Sequence, residues 1–75
     1  MTKNEFLNKL AEVLDYDGEI YENDDVSKID VWDSLGILSI LELLSDMGLR
    51  IDAEAISAVE NISELLVLVK PAIES

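Results

Sequence analysis

The chain has 75 residues, with 17 acidic side chains against 5 basic ones and a formal net charge of −12. It contains no His and no Cys, which excludes Ser-His and Cys-His nucleophile pairs, thiol redox chemistry and a conventional zinc site. So acidic a chain repels phosphate backbones and anionic lipid, making nucleic acid and membrane surfaces poor partners, while 49% hydrophobic residues is too many for a disordered acidic tail.

The expectation is therefore one small, soluble domain over residues 1–75. A chain this short buries only about 60–65% of its unfolded surface, and no disulfide is present to assist. The opening Met-Thr-Lys-Asn-Glu-Phe has no unbroken apolar stretch that could form a signal-peptide core. The longest pure apolar run, Leu65 to Val69, is too short to span a bilayer. A monomer in the cytoplasm is the expected state.

Residues 2–15 read as a helix. Thr2 followed by Glu5 forms a capping box, in which each side chain satisfies a free backbone donor at the helix start. Phe6, Leu7, Leu10, Val13 and Leu14 then recur at helical spacing and make one apolar stripe.

Residues 15–33 hold no period. Asp15, Asp17, Glu19, Glu22, Asp24, Asp25, Asp30 and Asp33 face a single Lys28, which predicts a long acidic loop pinned by Ile20, Val26, Ile29, Val31 and Trp32. Structureless loops of more than about 12–15 residues are uncommon in small domains and often functional. Asp15-Tyr16-Asp17-Gly18 has the look of an EF-hand start, but the Gly comes too early and the ligand ladder is missing. No metal site is expected.

Residues 34–48 give the strongest helix, with Asp33 as N-cap and Gly48 as the stop just beyond Met47. At about 100° per residue, Ile37, Ile40, Leu41, Leu44 and Met47 share one face and Leu43 lies at its border. Ser39, Glu42, Ser45 and Asp46 lie opposite, and Leu35 and Leu38 fall among them. Further on, Asp52 is placed to cap a short helical turn, Ala53 to Ile56. Asn61 with Glu64 makes a second capping box, opening a last helix with Ile62, Leu65, Leu66, Leu68 and Val69. Lys70 suits the negative end of that helix and Pro71 stops it. The predicted fold class is all-α: a small four-helix bundle of three main helices and one short one, with a long loop between the first two.

The informative stretch is Val31-Trp32-Asp33-Ser34-Leu35-Gly36, where the acidic loop meets the most apolar helix. A helix start favours negative charge through its free N–H groups and its dipole. A Ser in the first helical position thus puts its hydroxyl where an attached phosphate is stabilised. Taken alone, Asp-Ser-Leu is a short motif that arises by chance, with Asp33 an ordinary cap.

Its context changes that. Asp33-Ser34-Leu35 at the start of the second helix resembles the attachment motif of the acyl and peptidyl carrier proteins. The similarity covers nearly the whole chain: an N-terminal helix, a long acidic loop, a second helix closing near Gly48, then Ile51-Asp52, a short third helix and a last one at Val59-Glu60-Asn61-Ile62. What the resemblance implies is a freestanding carrier whose Ser34 bears 4′-phosphopantetheine, with Asp33 and Leu35 completing the motif. A separate phosphopantetheinyl transferase would install the arm from coenzyme A. The arm's thiol would hold acyl groups as thioesters, so that a protein without Cys takes part in thioester chemistry while not itself being an enzyme.

In the family the second helix is the recognition helix. Leu35 and Leu38 beside Ser34, with Glu42 and Asp46 further along, form an apolar spot rimmed by acids, suited to docking against basic enzyme surfaces. Fatty-acid carriers usually have an acid directly after Asp-Ser-Leu and a denser row of Glu; here those positions hold Gly36, Ser39 and Ser45. With Trp32 before the motif, this looks more like carriers of specialised lipid, polyketide, nonribosomal-peptide or surface-polysaccharide pathways. An aminoacyl or peptidyl carrier is the alternative within the family. A rival of another class is an acidic adaptor that docks without being modified. Trp32 is expected chiefly to anchor the loop as a buried aromatic.

Overall fold

The computed structural model describes residues 1–73. Four α-helices follow one another: α1 (Lys3–Leu14), α2 (Ser34–Asp46), α3 (Ala53–Ala58) and α4 (Ile62–Val69). Short 3-10 turns occupy Val26–Lys28 and Lys70–Ala72. No strand is formed among the described residues, and Asp25 and Asn61 make an isolated antiparallel bridge. The all-α bundle expected from the apolar periodicity is the observed architecture.

The helix starts follow from their caps. Both halves of the first capping box are made: the Thr2 hydroxyl accepts the Glu5 N–H at 3.2 Å and the Glu5 carboxylate accepts the Thr2 N–H at 3.0 Å. These bonds, the Thr2 backbone N–H foremost, lower the Glu5 pKa below its ordinary value. At α4, Asn61 Oδ1 accepts the Glu64 N–H at 2.9 Å, but the Glu64 carboxylate returns to the N–H of Glu60 instead of Asn61. The second box is thus shifted by one residue on its return half. Asp52 stands at the N-cap of α3, with the extended backbone usual there and its carbonyl accepting the Ala55 and Ile56 N–H groups at 3.0 and 3.3 Å, but its side chain makes no cap hydrogen bond. The helix runs two residues past the expected turn, to Ala58.

The stops are equally local. Asp15 ends α1 in the left-handed region, at φ 53°, a conformation Asp tolerates. Gly48 ends α2 at φ 84°, and the Leu49 N–H reaches back to the Leu44 carbonyl at 2.8 Å. That six-to-one bond needs a left-handed residue at the turn, which Gly supplies without strain.

One core joins all four helices and the loop. Phe6 and Leu10 of α1, Ile40 and Leu44 of α2, Ile56 of α3, and Ile62, Leu65 and Val69 of α4 are essentially inaccessible. Leu43, assigned to the border of the α2 stripe, is buried with them, while Val13, Ile37, Leu41, Met47 and Leu68 are partly buried against that core.

The segment between α1 and α2 is the part least like its expectation. Ile20 and Ile29 are buried, and Val26, Val31 and Trp32 pack partly against the core, as the pinning residues should. Yet the segment is also tied to the start of α4 and to Glu60 just before it. Val26 N–H bonds to the Glu60 carbonyl at 3.1 Å, Ile62 N–H to the Asp24 carbonyl at 2.9 Å, and the Ser63 hydroxyl to the Glu22 carbonyl at 2.9 Å. Asp24 and Asp25 serve as local caps, accepting the Tyr21 and Ser27 N–H groups at 2.9 and 3.0 Å. Those backbone donors are the main reason both carboxyls lie below their ordinary pKa, Lys28 adding a smaller effect at Asp24.

Candidate functional site

The site begins with a cap and a close approach. Asp33 has extended backbone, and its Oδ1 accepts the Gly36 N–H at 2.9 Å while its carbonyl accepts the Ile37 N–H at 2.8 Å. Asp33 N–H in turn donates to the Val31 carbonyl at 2.9 Å. The first turn of a helix leaves its leading N–H groups without intrahelical partners. Asp33 takes that of Gly36, and those of Ser34 and Leu35 have no partner among the described residues at the start of α2.

Gly36 is buried against the loop it follows. A Cβ there would stand 2.0 Å from the Val31 carbonyl oxygen and 3.0 Å from Leu14 Cδ2. The residue that sequence comparison singled out only for lacking an acid is therefore required by contact: no side chain fits between α2 and Val31. Nothing local in the sequence signals this, because the opposing carbonyl is brought there by the bend of the loop.

Ser34 is the first residue of α2 and is exposed. Its side chain lines a shallow trough of about 350 Å³ between α2 and α3, with Ile37, Leu38 and Leu41 on one wall and Ala53, Glu54 and Ser57 on the other. The sequence had placed Ile37 and Leu41 in the core only, and the α3 wall was not foreseen.

Leu35 and Leu38 are 75% and 56% exposed, the two most exposed large apolar side chains of α2. They do not share a hollow. Leu38 lines the trough with Ser34, whereas Leu35 faces a smaller hollow of about 290 Å³ toward Val13, Leu14 and Val31. Glu42 and Asp46 are exposed further along the helix and line neither. The structure thus gathers Asp33, Ser34, Leu35 and Leu38 at one end of α2 and leaves the two acids as an outlying rim. Ser39, among them, is occupied by its own helix, its hydroxyl donating to the Leu35 carbonyl at 3.2 Å.

Trp32 packs partly against the core, in keeping with an anchoring role. Its Nε1 is closed off from solvent and has no hydrogen-bond partner among the described residues.

No group of three or more acidic side chains is placed to hold a metal ion among the described residues, and no helix there is long and apolar enough to cross a membrane. No family model, curated protein or solved structure matches the chain.

Proposed function

We propose that this chain is a carrier protein, bearing 4′-phosphopantetheine on Ser34 and presenting acyl groups as thioesters to partner enzymes. The observation that carries the reading is the setting of Ser34. It is an exposed hydroxyl at the capped start of a thirteen-residue helix, beside exposed Leu35 and Leu38 and at the mouth of an apolar trough. The free N–H groups of the first turn and the helix dipole favour the negative charge a phosphodiester would bring there. The chain has no His or Cys to activate the hydroxyl or to carry a thioester itself.

The chemistry belongs to a partner. In the hands of a magnesium-dependent phosphopantetheinyl transferase, Ser34 Oγ attacks the β-phosphorus of coenzyme A. The P–O bond to 3′,5′-adenosine diphosphate breaks, and the hydroxyl proton passes to the transferase. The chain supplies position: Asp33 holds the helix start, Gly36 lets it lie against Val31, and Leu35 and Leu38 give enzymes an apolar grip. Its charge of −12 draws basic surfaces toward the acidic loop before contact. The carrier's place is the cytoplasm, beside the enzymes that load it.

The test is direct. Incubation with a promiscuous transferase, magnesium and coenzyme A adds one phosphopantetheinyl mass to the intact chain, and Ser34→Ala abolishes the addition while leaving the fold unchanged by circular dichroism. A wild-type chain that gains no mass refutes the reading and leaves the unmodified acidic adaptor in its place.

A further inference from the structure

We propose that the hollow between α1 and the first part of the acidic loop is a binding site for an arginine side chain presented by a partner protein. The site stands apart from Ser34: it shares no lining residue with either hollow beside that serine.

The charge in the hollow is the first observation. The hollow measures about 420 Å³, and Lys3, Glu19 and Glu22 are the charged side chains that line it. Lys3 Nζ lies 2.9 Å from Glu22 Oε1, so those two neutralise each other. Glu19 pairs with no Lys or Arg among the described residues. The Tyr21 hydroxyl donates to its Oε2 at 2.7 Å, leaving Oε1 for another donor. The hollow thus carries a surplus of one negative charge, on a carboxylate with an oxygen to spare.

The second observation is what surrounds that charge. Tyr21 also lines the hollow, is 56% exposed and is fixed at both ends, its backbone N–H donating to Asp24 at 2.9 Å and its hydroxyl to Glu19. Leu7 and Ile20 bring apolar surface, and Asn4 and Asn8, one turn apart on α1, add amide carbonyls as acceptors. A guanidinium is planar, weakly hydrated and rich in donors, and it stacks on aromatic rings, whereas an ammonium is compact and strongly hydrated. An aromatic ring, a carboxylate and side-chain amides in one hollow match the former.

The charge of the whole chain selects the source. Free arginine brings a carboxylate of its own to a surface of net charge −12, and a second copy of the chain brings a like charge. An arginine within a basic partner brings neither. A metal ion is a poor match, because no three ligating side chains are grouped to hold one among the described residues.

The experiment uses the full unmodified chain, ¹⁵N-labelled, at about 0.15 M salt, where screening confines charge effects to about 8 Å. Three capped tripeptides, alike except for Arg, Lys or citrulline at the centre, are titrated in. The arginine peptide should give saturable shifts at the Asn4 and Asn8 side-chain amides and at the Tyr21 amide. The lysine peptide should bind more weakly, and the citrulline peptide, which keeps the shape and loses the charge, about tenfold more weakly. Glu19→Gln should weaken the arginine peptide by a similar factor. Asp17→Asn, which removes one charge from the loop outside the hollow, should leave its binding unchanged, with circular dichroism showing that both variants fold. Absence of saturable shifts in the hollow, a lysine peptide bound as tightly as the arginine one, or an equal loss from both substitutions overturns the inference.

Discussion

Gly36→Ala is the sharpest mechanical test of how the start of α2 is built. The Cβ of an alanine there would begin 2.0 Å from the Val31 carbonyl oxygen and 3.2 Å from its carbon, with Leu14 Cδ2 at 3.0 Å. Real Cβ atoms essentially never come nearer than 3.0 Å to a neighbour, so α2 and the loop must separate by at least 1.0 Å, the difference between 3.0 and 2.0. The obstacle is backbone, and a rotamer change cannot clear it. In an open helix the same substitution gains about 0.5–1 kcal/mol. Against that stand overpacking, at about 1–3 kcal/mol, and the strained Asp33 cap, at about 0.5–2 kcal/mol if it is lost. A net loss of about 2 kcal/mol corresponds to a fall of about 8–16 °C in Tm for a domain of this size.

Thermal melts followed by circular dichroism measure it. Leu14→Ala added to Gly36→Ala should give no rescue, because it relieves only the 3.0 Å contact and leaves the carbonyl in the way. A Gly36→Ala chain that melts at or above the wild-type temperature would refute the close approach. So would full rescue by Leu14→Ala.

Salt should raise the melting temperature. The molecule measures 26 × 22 × 19 Å, inside the Debye length of about 30 Å at 0.01 M salt but well beyond the about 8 Å at 0.15 M, so screening relieves the repulsion among its surplus acids; melts unmoved between those two conditions would count against this. Acid should lower stability again at the bottom of the scale. Glu5, Asp24 and Asp25 have folded pKa values below their ordinary 4.5, 3.8 and 3.8, so their contribution is complete above that range and is lost as pH falls through it. A melting temperature at pH 3 equal to or above that at pH 5 would mean that relief of charge repulsion outweighs the lost caps. Leu35→Ala and Leu38→Ala should each change stability by no more than about 0.5 kcal/mol, as exposed positions do, while slowing loading through a raised KM; loading kinetics identical to the wild type would remove both from the docking surface.

Much of this fold is legible in local chemistry. Thr2 with Glu5, Asp33 before Ser34, and Gly48 behind Met47 mark helix ends through bonds of a few residues' reach, and the apolar stripes between them name the core. The departures arise where one part of the chain meets another. Asp52 has the right identity for a cap, but its side chain makes no bond to the start of α3. Leu43 falls at the edge of an ideal wheel, yet it packs with the buried residues of the other helices. The acidic loop has no period because its order comes from α4, through Asp24, Val26 and Glu22 meeting Ile62, Glu60 and Ser63. Ser34 was marked by its motif, whereas the role of Gly36 and the α3 wall of the trough depend on approaches that no spacing rule encodes.

Those ties between loop and last helix also govern how freely Ser34 can travel. The hydrogen bonds of Val26 and Ile62 close the chain into a ring that contains α2 and α3. Ser34 therefore sits on a segment fastened at both ends, and its helix is held further by Ile40, Leu43 and Leu44 in the shared core. On the carrier reading proposed above, such an anchor point stays still, and the sweep that passes cargo from one catalytic centre to the next would come from the arm or from the whole molecule turning over between partners.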